Sequence, residues 1–318
     1  MHNTDQINYS IIIPHKNIPD LLRRCLDSIP TRTDTQIIVV DDNSDQAFID
    51  FANFPGMERD DVKVIFNKES KGGGSARNSG LKIATGKWVL FADADDFFLP
   101  CLNNVLDTCY TTEADIIFFD ASCLNSDTLL PAHNNRAVDL NRFIELYKTN
   151  PQKGDIQLRY QFAEPWAKII RLDMIRQHNI QFEETFIHND VAFSYLSGYY
   201  AGSIRVIDEV LYCITERPGS VSKQLDVQKT LTRINVLAVA NKFYIDHSIP
   251  ATWDWLLCKQ LADLLISDSK LYKQAIKIVE RSGLNISDVK KTVLKHIPKA
   301  LGRKYIKRIK LSNGFFML

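Results

Sequence analysis

Apolar positions in the first third of the chain fall into short unbroken runs separated by stripes at helical spacing. Tyr9–Ile13, Gln36–Val40, Val62–Phe66 and Lys87–Ala92 are rich in β-branched and aromatic residues with little polar alternation. All four read as strands, and Tyr9–Ile13, an apolar, β-branched run, has the pattern of one buried on both faces of a parallel sheet. Pro14 is expected to end the first strand. Asn17 stands as an N-cap before Ile18, Leu21, Leu22, Cys25, Leu26 and Ile29, a helical stripe. After the third run, Gly72-Gly73-Gly74 lets the backbone approach a ligand closely. A helix is expected to begin near Ser75, pack through Ala76, Leu81, Ile83 and Ala84, and end at Thr85-Gly86. Strands alternating with helices imply an α/β fold with a Rossmann-like, mostly parallel central sheet flanked by helices.

Farther along, Asp115–Phe119 is another buried run, whereas residues 120–158 carry only a helical stripe over Leu140, Phe143, Ile144 and Tyr147. From about Leu225 the pattern turns helical, through Leu231, Ile234, Leu237 and Ala238 and then Trp253–Ile266. The boundary is placed after Lys223, giving residues 1–223 as the main domain and 224–318 as a helical C-terminal appendage. Within the first, 1–120 and 121–223 are its two halves.

Two strands stop at acidic turns, Asp41-Asp42-Asn43-Ser44 and Asp93-Ala94-Asp95-Asp96. Ligands of open α/β sheets lie outside the carboxyl ends of the strands, so Asp42 is placed to read a base or ribose. The same turn is also good loop chemistry without a ligand. Three carboxylates in four positions repel one another unless a cation is near. Hard oxygen donors suit Mg²⁺ or Mn²⁺, with a diphosphate completing the shell. A solvated acidic turn is the alternative.

Composition narrows the class. The six cysteines are irregularly spaced with no C-x-x-C pair, which argues against a zinc site or a disulfide framework and for reduced thiols in the cytoplasm. The N-terminus lacks the pattern of a secretory signal, and no apolar run reaches the length of a membrane span. The net charge of +1 conceals nine Lys or Arg residues and no Asp or Glu between Lys290 and Lys310. There Ile297, Leu301, Tyr305 and Ile309 recur every four residues beside Lys299, Arg303, Lys304, Lys307 and Arg308. A basic amphipathic helix of this kind, followed by Gly314-Phe315-Phe316-Met317-Leu318, suits peripheral contact of 297–318 with an anionic membrane surface. A nucleic-acid patch or a solvated face is the alternative, and no nucleic acid is expected as partner.

Four ordered blocks carry a family resemblance: Ser10-Ile11-Ile12-Ile13-Pro14, Ile38-Val39-Val40-Asp41-Asp42-Asn43-Ser44, Ala76-Arg77-Asn78-Ser79-Gly80 and Phe91-Ala92-Asp93-Ala94-Asp95-Asp96-Phe97. In order and spacing they resemble the family 2 nucleotide-sugar glycosyltransferases, with an A-type glycosyltransferase fold and a D-x-D metal motif. The resemblance covers about the first two-thirds of the chain. It implies that Asp42 reads the nucleoside base in a pocket lined by Pro14 and Lys16, and that Arg77 serves the base or diphosphate. Asp93 would face the ribose or metal, Asp95 the metal and diphosphate, and Asp96 would support that edge; which of the three ligates Mn²⁺ or Mg²⁺ directly is open at this point.

Residues 120–158 would be an acceptor-side insertion. Ala163-Glu164-Pro165-Trp166-Ala167-Lys168-Ile169-Ile170 looks like the family's acceptor-domain strand, where Trp and Lys often border the donor site, with core packing favoured for Trp166. Family members carry Glu-Asp at a later helix start, the Asp serving as general base; here the text is Asn189-Asp190. The base is kept, and the missing Glu bears on how Asp190 is oriented and tuned. A helix N-terminus stabilises the carboxylate form, so Asp190 would need burial or neighbours to gain basicity. Alternatively Asp190 merely caps the helix carrying Phe193, Leu196 and Tyr200. Arg217 or Ser220 would touch the diphosphate.

The implied function is a metal-dependent, inverting transfer of sugar from a nucleotide-diphosphate sugar, a UDP-sugar favoured, to a hydroxyl of a glycan or lipid-linked saccharide. Cell-surface polysaccharide or lipopolysaccharide synthesis at the cytoplasmic face of the plasma membrane is the matching setting. The rivals are a nucleotidyltransferase on a similar sheet and a non-catalytic nucleotide-sugar or membrane-binding module.

Overall fold

A computed structural model describes residues 6–185, 187–217, 226–250 and 254–313. The chain divides into two compact units, Met1–Lys223 and Gln224–Leu318.

In the first unit the elements follow in the order β1 (Tyr9–His15), α1 (Pro19–Asp27), β2 (Thr35–Asp41), β3 (Val62–Phe66), α2 (Gly73–Ile83), β4 (Trp88–Phe91), β5 (Phe97–Phe98) and α3 (Leu102–Cys109). Then come β6 (Ile116–Asn125), α4 (Val138–Thr149), α5 (Pro151–Tyr160), β7 (Lys168–Arg171), α6 (Leu172–Gln177), α7 (Val191–Tyr200) and β8 (Ile204–Glu216). One sheet holds all eight strands in the order β3-β2-β1-β4-β7-β6-β8-β5. The strands β3, β2, β1 and β4 run parallel, β7 is antiparallel to both of its neighbours, β6 and β8 are parallel, and β5 is antiparallel to β8. Because β2, β1 and β4 are adjacent and parallel, their carboxyl ends share one edge, with the chain order reversing about β1. This is where an open sheet of this kind leaves its crevice.

The continuous apolar runs are explained by burial on both faces. Ile11, Ile12, Ile13, Ile37, Ile38, Val39, Val40 and Val89 are fully buried. Removing a Val, Leu, Ile or Phe side chain from water contributes about 1.5–3 kcal/mol each, which is why strands with no polar face are stable only inside a layered fold. Phe91 extends that core to the far side of the crevice, edge-on to Phe182 at 5.1 Å and to Phe193 at 5.4 Å, while Phe182 and Phe193 stack at 3.9 Å. The segment leading into α7 is thereby seated on β4.

Several expectations need correction. Pro14 does not end β1; it pairs with Val40 inside the strand. The carbonyl of Ile12 accepts from Ala92 toward β4 and that of His15 from Asp42 toward β2. Alternation points Pro14 toward β4, beyond the last β1–β4 pair, Ile12 and Phe91, so its missing N–H leaves no gap in the ladder. Asn17 is not the N-cap of α1. It lies in the left-handed region (φ 58°), takes Ser44 Oγ through its N–H, and accepts from the Asp45 N–H. The first free N–H of α1, from Ile18, is instead accepted by His15 Nε2. α2 begins two residues before Ser75, at Gly73, behind Gly72 in a positive-φ conformation of 89° that suits glycine. The weakly patterned 120–158 region contains the end of β6 and both α4 and α5, the latter started by Asn150, whose side chain accepts from the Lys153 N–H, and by Pro151 in the first turn.

The second unit is helical: α8 (Val227–Asp246), α9 (Asp254–Ser267), α10 (Ser269–Arg281) and α11 (Ile286–Asn313). Ile234, Leu237, Leu257, Leu261, Ala275, Val279 and Val293 form its own core. Among the described residues no helix is long and apolar enough to cross a membrane. The side chains of 303–313, and Gly314–Leu318 altogether, lie outside the described residues, so most of the amphipathic tail is not part of the structural account.

Candidate active site at the carboxyl edge of the sheet

The acidic turn after β4 is stitched to β8 and α1. Asp96 is 1% exposed, and both of its oxygens are used: Oδ1 accepts from the Thr215 N–H at 2.6 Å and Oδ2 from the Tyr212 hydroxyl at 3.1 Å. That hydroxyl in turn accepts from the Asp93 N–H at 2.8 Å. The Asp95 carbonyl accepts from Thr215 Oγ1 at 2.6 Å and from the Arg24 guanidinium at 2.5 Å. Burial, with Asp95 and Asp93 beside it, pushes the Asp96 carboxyl well above the usual range.

This bracing leaves Asp93 and Asp95 at the crevice, half-buried. Asp93 Oδ1 accepts from Arg77 at 2.5 Å, and Asp95 Oδ2 from Arg217 Nε at 2.8 Å. One carboxylate oxygen from each of Asp93, Asp95 and Asp96 can lie within 4.8 Å of the others. An all-oxygen donor set this close fits a hard divalent cation such as Mg²⁺ or Mn²⁺. Arg136, just before α4, adds its positive charge to the field of Asp93, Asp95, Asp96 and Glu164; partial desolvation of its guanidinium opposes that charge, and these carboxylates outweigh it and hold the group above its usual value.

Arg77 links the acidic turn to the far wall. Its side chain is 9% exposed, lies 5.3 Å over the Phe182 ring, and also donates to Asn189 Oδ1 at 3.0 Å. Asn189 therefore supplies the acceptor that receives this arginine, without adding a carboxylate next to Asp190. The segment before α7 is clasped to α2 at two further points. Asn78 donates to the Phe182 carbonyl and accepts from its N–H, both at 2.9 Å. Gly74 is so close that a Cβ there would meet the Glu183 carbonyl oxygen at 2.1 Å.

Asp190 occupies the N-cap position of α7 but makes no capping hydrogen bond. Among the described residues no N–H of α7 donates to its carboxylate, so capping does not account for it. Burial raises its pKa, with Asp93 adding to the rise and Arg77 and Lys168 opposing it. The rise is in the direction a general base needs.

Asp42, at the end of β2, is 4% exposed and braces the glycine-rich loop. It accepts from the Lys71 N–H at 3.2 Å, the Gly72 N–H at 3.0 Å and Ser70 Oγ at 2.9 Å. Three of about four acceptor positions of a carboxylate are then taken, leaving one. Lys16 is exposed and donates to Ser70 Oγ, and Pro14 is half-buried beside it. Trp166, 1% exposed, stacks on Tyr212 at 5.8 Å as core. Ser220 lies outside the described residues.

The model of the family described as Glycosyl transferase family 2 matches residues 10–179. The chain belongs to that family. An Escherichia coli (strain K12) relative, uncharacterized glycosyltransferase YibD, is 28% identical over 264 residues, 77% of this chain and 74% of its own length. The poly(ribitol-phosphate) beta-glucosyltransferase of Bacillus spizizenii is 30% identical over 182 residues, 54% of this chain but 26% of its own, so this chain spans only about a quarter of that relative. Among solved structures, S. aureus TarS 1-349 in complex with UDP-GlcNAc superposes with a TM-score of 0.60 at 19% identity, over 92% of this chain and 90% of that one. Mannosyltransferase PcManGT from Pyrobaculum calidifontis, in complex with GDP-Man and Mn²⁺, gives 0.54 at 13% identity, over 94% and 87%. At such identities the likeness is one of fold, the A-type glycosyltransferase fold.

For this family 2 chain, then, the structure gathers Asp93, Asp95, Asp96, Arg77 and Asp190 around one crevice and sets Asp42, Lys16 and Pro14 at the neighbouring strand ends. Residues not anticipated from the sequence are Tyr212, Thr215 and Arg24, which hold the acidic turn, and Glu164, Glu183 and Arg136, whose charges act on it or on Asp190. Most lie far from their partners in sequence, 119 residues for Thr215 and Asp96, so no local spacing announces them.

Proposed function

We propose that the first unit catalyses metal-dependent, inverting transfer of a sugar from a nucleoside diphosphate sugar, a UDP-sugar, to a hydroxyl of a glycan or lipid-linked saccharide. The observation that carries this reading is the pairing of a carboxylate cluster at the strand ends with a half-buried Asp190 that does not cap its helix, bridged by the Asp93–Arg77–Asn189 contacts. The UDP-GlcNAc in the TarS complex and the Mn²⁺ in the PcManGT complex support the choice of donor and metal by analogy of fold.

In this reading Asp42, Pro14 and Lys16 line the nucleoside pocket, with the remaining acceptor position of Asp42 for a base N–H. A divalent cation held by Asp93 and Asp95, with Asp96 supporting them, would offset charge on the departing diphosphate. Arg217 belongs to the same end of the site and assists the diphosphate. Asp190 takes the proton of the acceptor hydroxyl as its oxygen bonds to the anomeric carbon. The bond from that carbon to the diphosphate oxygen breaks, and nucleoside diphosphate leaves with the electron pair. One displacement without a covalent enzyme intermediate inverts the anomeric centre. The 1–120 half would serve the donor and the 121–223 half the acceptor, and the basic tail, 297–318, would bring the enzyme to an anionic membrane. Release of UDP from a UDP-sugar with Mn²⁺, abolished by Asp190→Asn and Asp95→Ala, is the expected result. Sedimentation of the full chain with phosphatidylglycerol vesicles, at low but not at high salt, tests the membrane contact.

A further inference from the structure

Behind Asp190 lies a buried ammonium that the reaction as described does not use. Lys168, the first residue of β7, is 3% exposed. A lysine is almost never that buried unless it is paired. Its Nζ lies 4.9 Å from the Phe162 ring centroid and 5.8 Å from that of Phe118, and donates to Ser194 Oγ at 3.2 Å. Ser194 is one turn into α7, its N–H donating to the Asp190 carbonyl at 2.9 Å. Its hydroxyl also donates to the carbonyl of Ala163, the residue before Glu164. One serine therefore ties together the strand of Lys168, the turn of Glu164 and the turn of Asp190.

The charges facing Asp190 come from every side of the crevice: Arg77 from α2, Asp93 from the turn after β4, Lys168 from β7, Glu164 from the turn before β7, and Glu183 from the segment before α7. Arg136, before α4, adds its charge at Glu164 and Asp93, so three cations meet four carboxylates, Asp190 included. Arg77 is already hydrogen-bonded to Asp93 and Asn189, whereas among the described residues Lys168 bonds no carboxylate and donates to Ser194 alone. Carboxyl groups crowded into a buried pocket cannot all stay ionised without compensating positive charge.

We propose that Lys168 is a positioning residue for the transfer reaction: anchored by Ser194, its charge keeps Asp190 ionised and ready to accept a proton although Glu164 shares the pocket. The proposal rests on the reading of Asp190 as general base. The direction of the electrostatics agrees. Burial lowers the Lys168 ammonium to about 8 while Glu164 and Asp190 oppose the fall, and Lys168 in turn opposes the rise of both carboxyls.

Such coupling is reciprocal, which gives two independent readouts on the full chain. In protein labelled with ¹⁵N at lysine Nζ, the Lys168 signal, assigned through Lys168→Arg, should titrate at lower pH in Asp190→Asn and in Glu164→Gln than in wild type. In UDP release from a UDP-sugar with Mn²⁺, Lys168→Met should shift the acidic limb of the rate profile up by about one pH unit or more. Lys168→Arg should bring it back toward wild type. If Lys168→Met does not fold, the titration still decides, because it leaves Lys168 in place. An unmoved Lys168 titration in Asp190→Asn, or an unmoved acidic limb in folded Lys168→Met, overturns the proposal. Wild-type rates in Asp190→Asn overturn the base assignment itself, and the two failures are told apart by that one variant.

Discussion

Tyr212→Phe probes how the acidic turn is held. The substitution removes one oxygen and keeps the ring, so the stack on Trp166 at 5.8 Å and the edge contact with Phe98 at 5.3 Å survive. Two hydrogen bonds are lost: the one Tyr212 donates to Asp96 at 3.1 Å and the one it accepts from the Asp93 N–H at 2.8 Å. A neutral hydrogen bond contributes about 0.5–1.5 kcal/mol net and one to a charged group about 1.5–3, so the loss is about 2–4.5 kcal/mol. For a unit of this size each kcal/mol moves the melting temperature by about 2–4 °C, giving a fall of roughly 4–18 °C. The function should suffer as well, because Asp93 and Asp96 lose a shared brace. Loss of an outer-shell partner typically weakens metal binding by about 10–100-fold. Differential scanning fluorimetry and Mn²⁺ titration by electron paramagnetic resonance read the two effects. A Tyr212→Phe protein that melts within about 1 °C of wild type and binds Mn²⁺ equally would refute the bracing argument.

Other expectations follow from single contacts. Gly74→Ala puts a Cβ 2.1 Å from the Glu183 carbonyl oxygen, so the 183–190 segment must move off α2; turnover should fall far more than nucleotide affinity, as steady-state rates and calorimetric titration with UDP would show. Asp190→Asn should abolish transfer yet raise the melting temperature. Burial holds the Asp190 carboxyl above its unfolded value, so the native protein retains that proton more tightly. Its contribution to stability is then lost as pH rises through the window from the unfolded to the folded pKa, and the melting advantage of Asn should be larger at about pH 8 than at about pH 4. Equal advantages at both would count against a perturbed carboxyl.

The sheet was legible because strands buried on both faces must be written as unbroken apolar runs, as β1, β2 and β4 are, while β3, the edge strand, keeps the exposed Lys63 and a half-buried pattern. The acidic strand ends were legible for a related reason, since carboxylates directly after buried residues are costly without a purpose. What escaped was whatever depends on distant partners. β5 is two residues, Phe97 and Phe98, and becomes a strand only through Cys213 and Tyr212. Asn17 has the identity of an N-cap, yet Ser44 and Asp45 from the next strand's loop hold it elsewhere. The start signal of α5, Asn150-Pro151, was present in the text but stood in a segment with little apolar periodicity. Around the crevice, Arg24 and Ser126 meet across 102 residues and Lys168 and Ser194 across 26, separations at which residue identity predicts no partner.

The most direct test is to measure nucleoside diphosphate released from UDP-, GDP- and dTDP-sugars with Mn²⁺ or Mg²⁺, comparing wild type, Asp95→Ala and Asp190→Asn. The account predicts release from a UDP-sugar that stops on chelation, returns when metal is restored, and is missing in both variants. Release that persists under chelation, or that proceeds at the wild-type rate in Asp190→Asn, would contradict it.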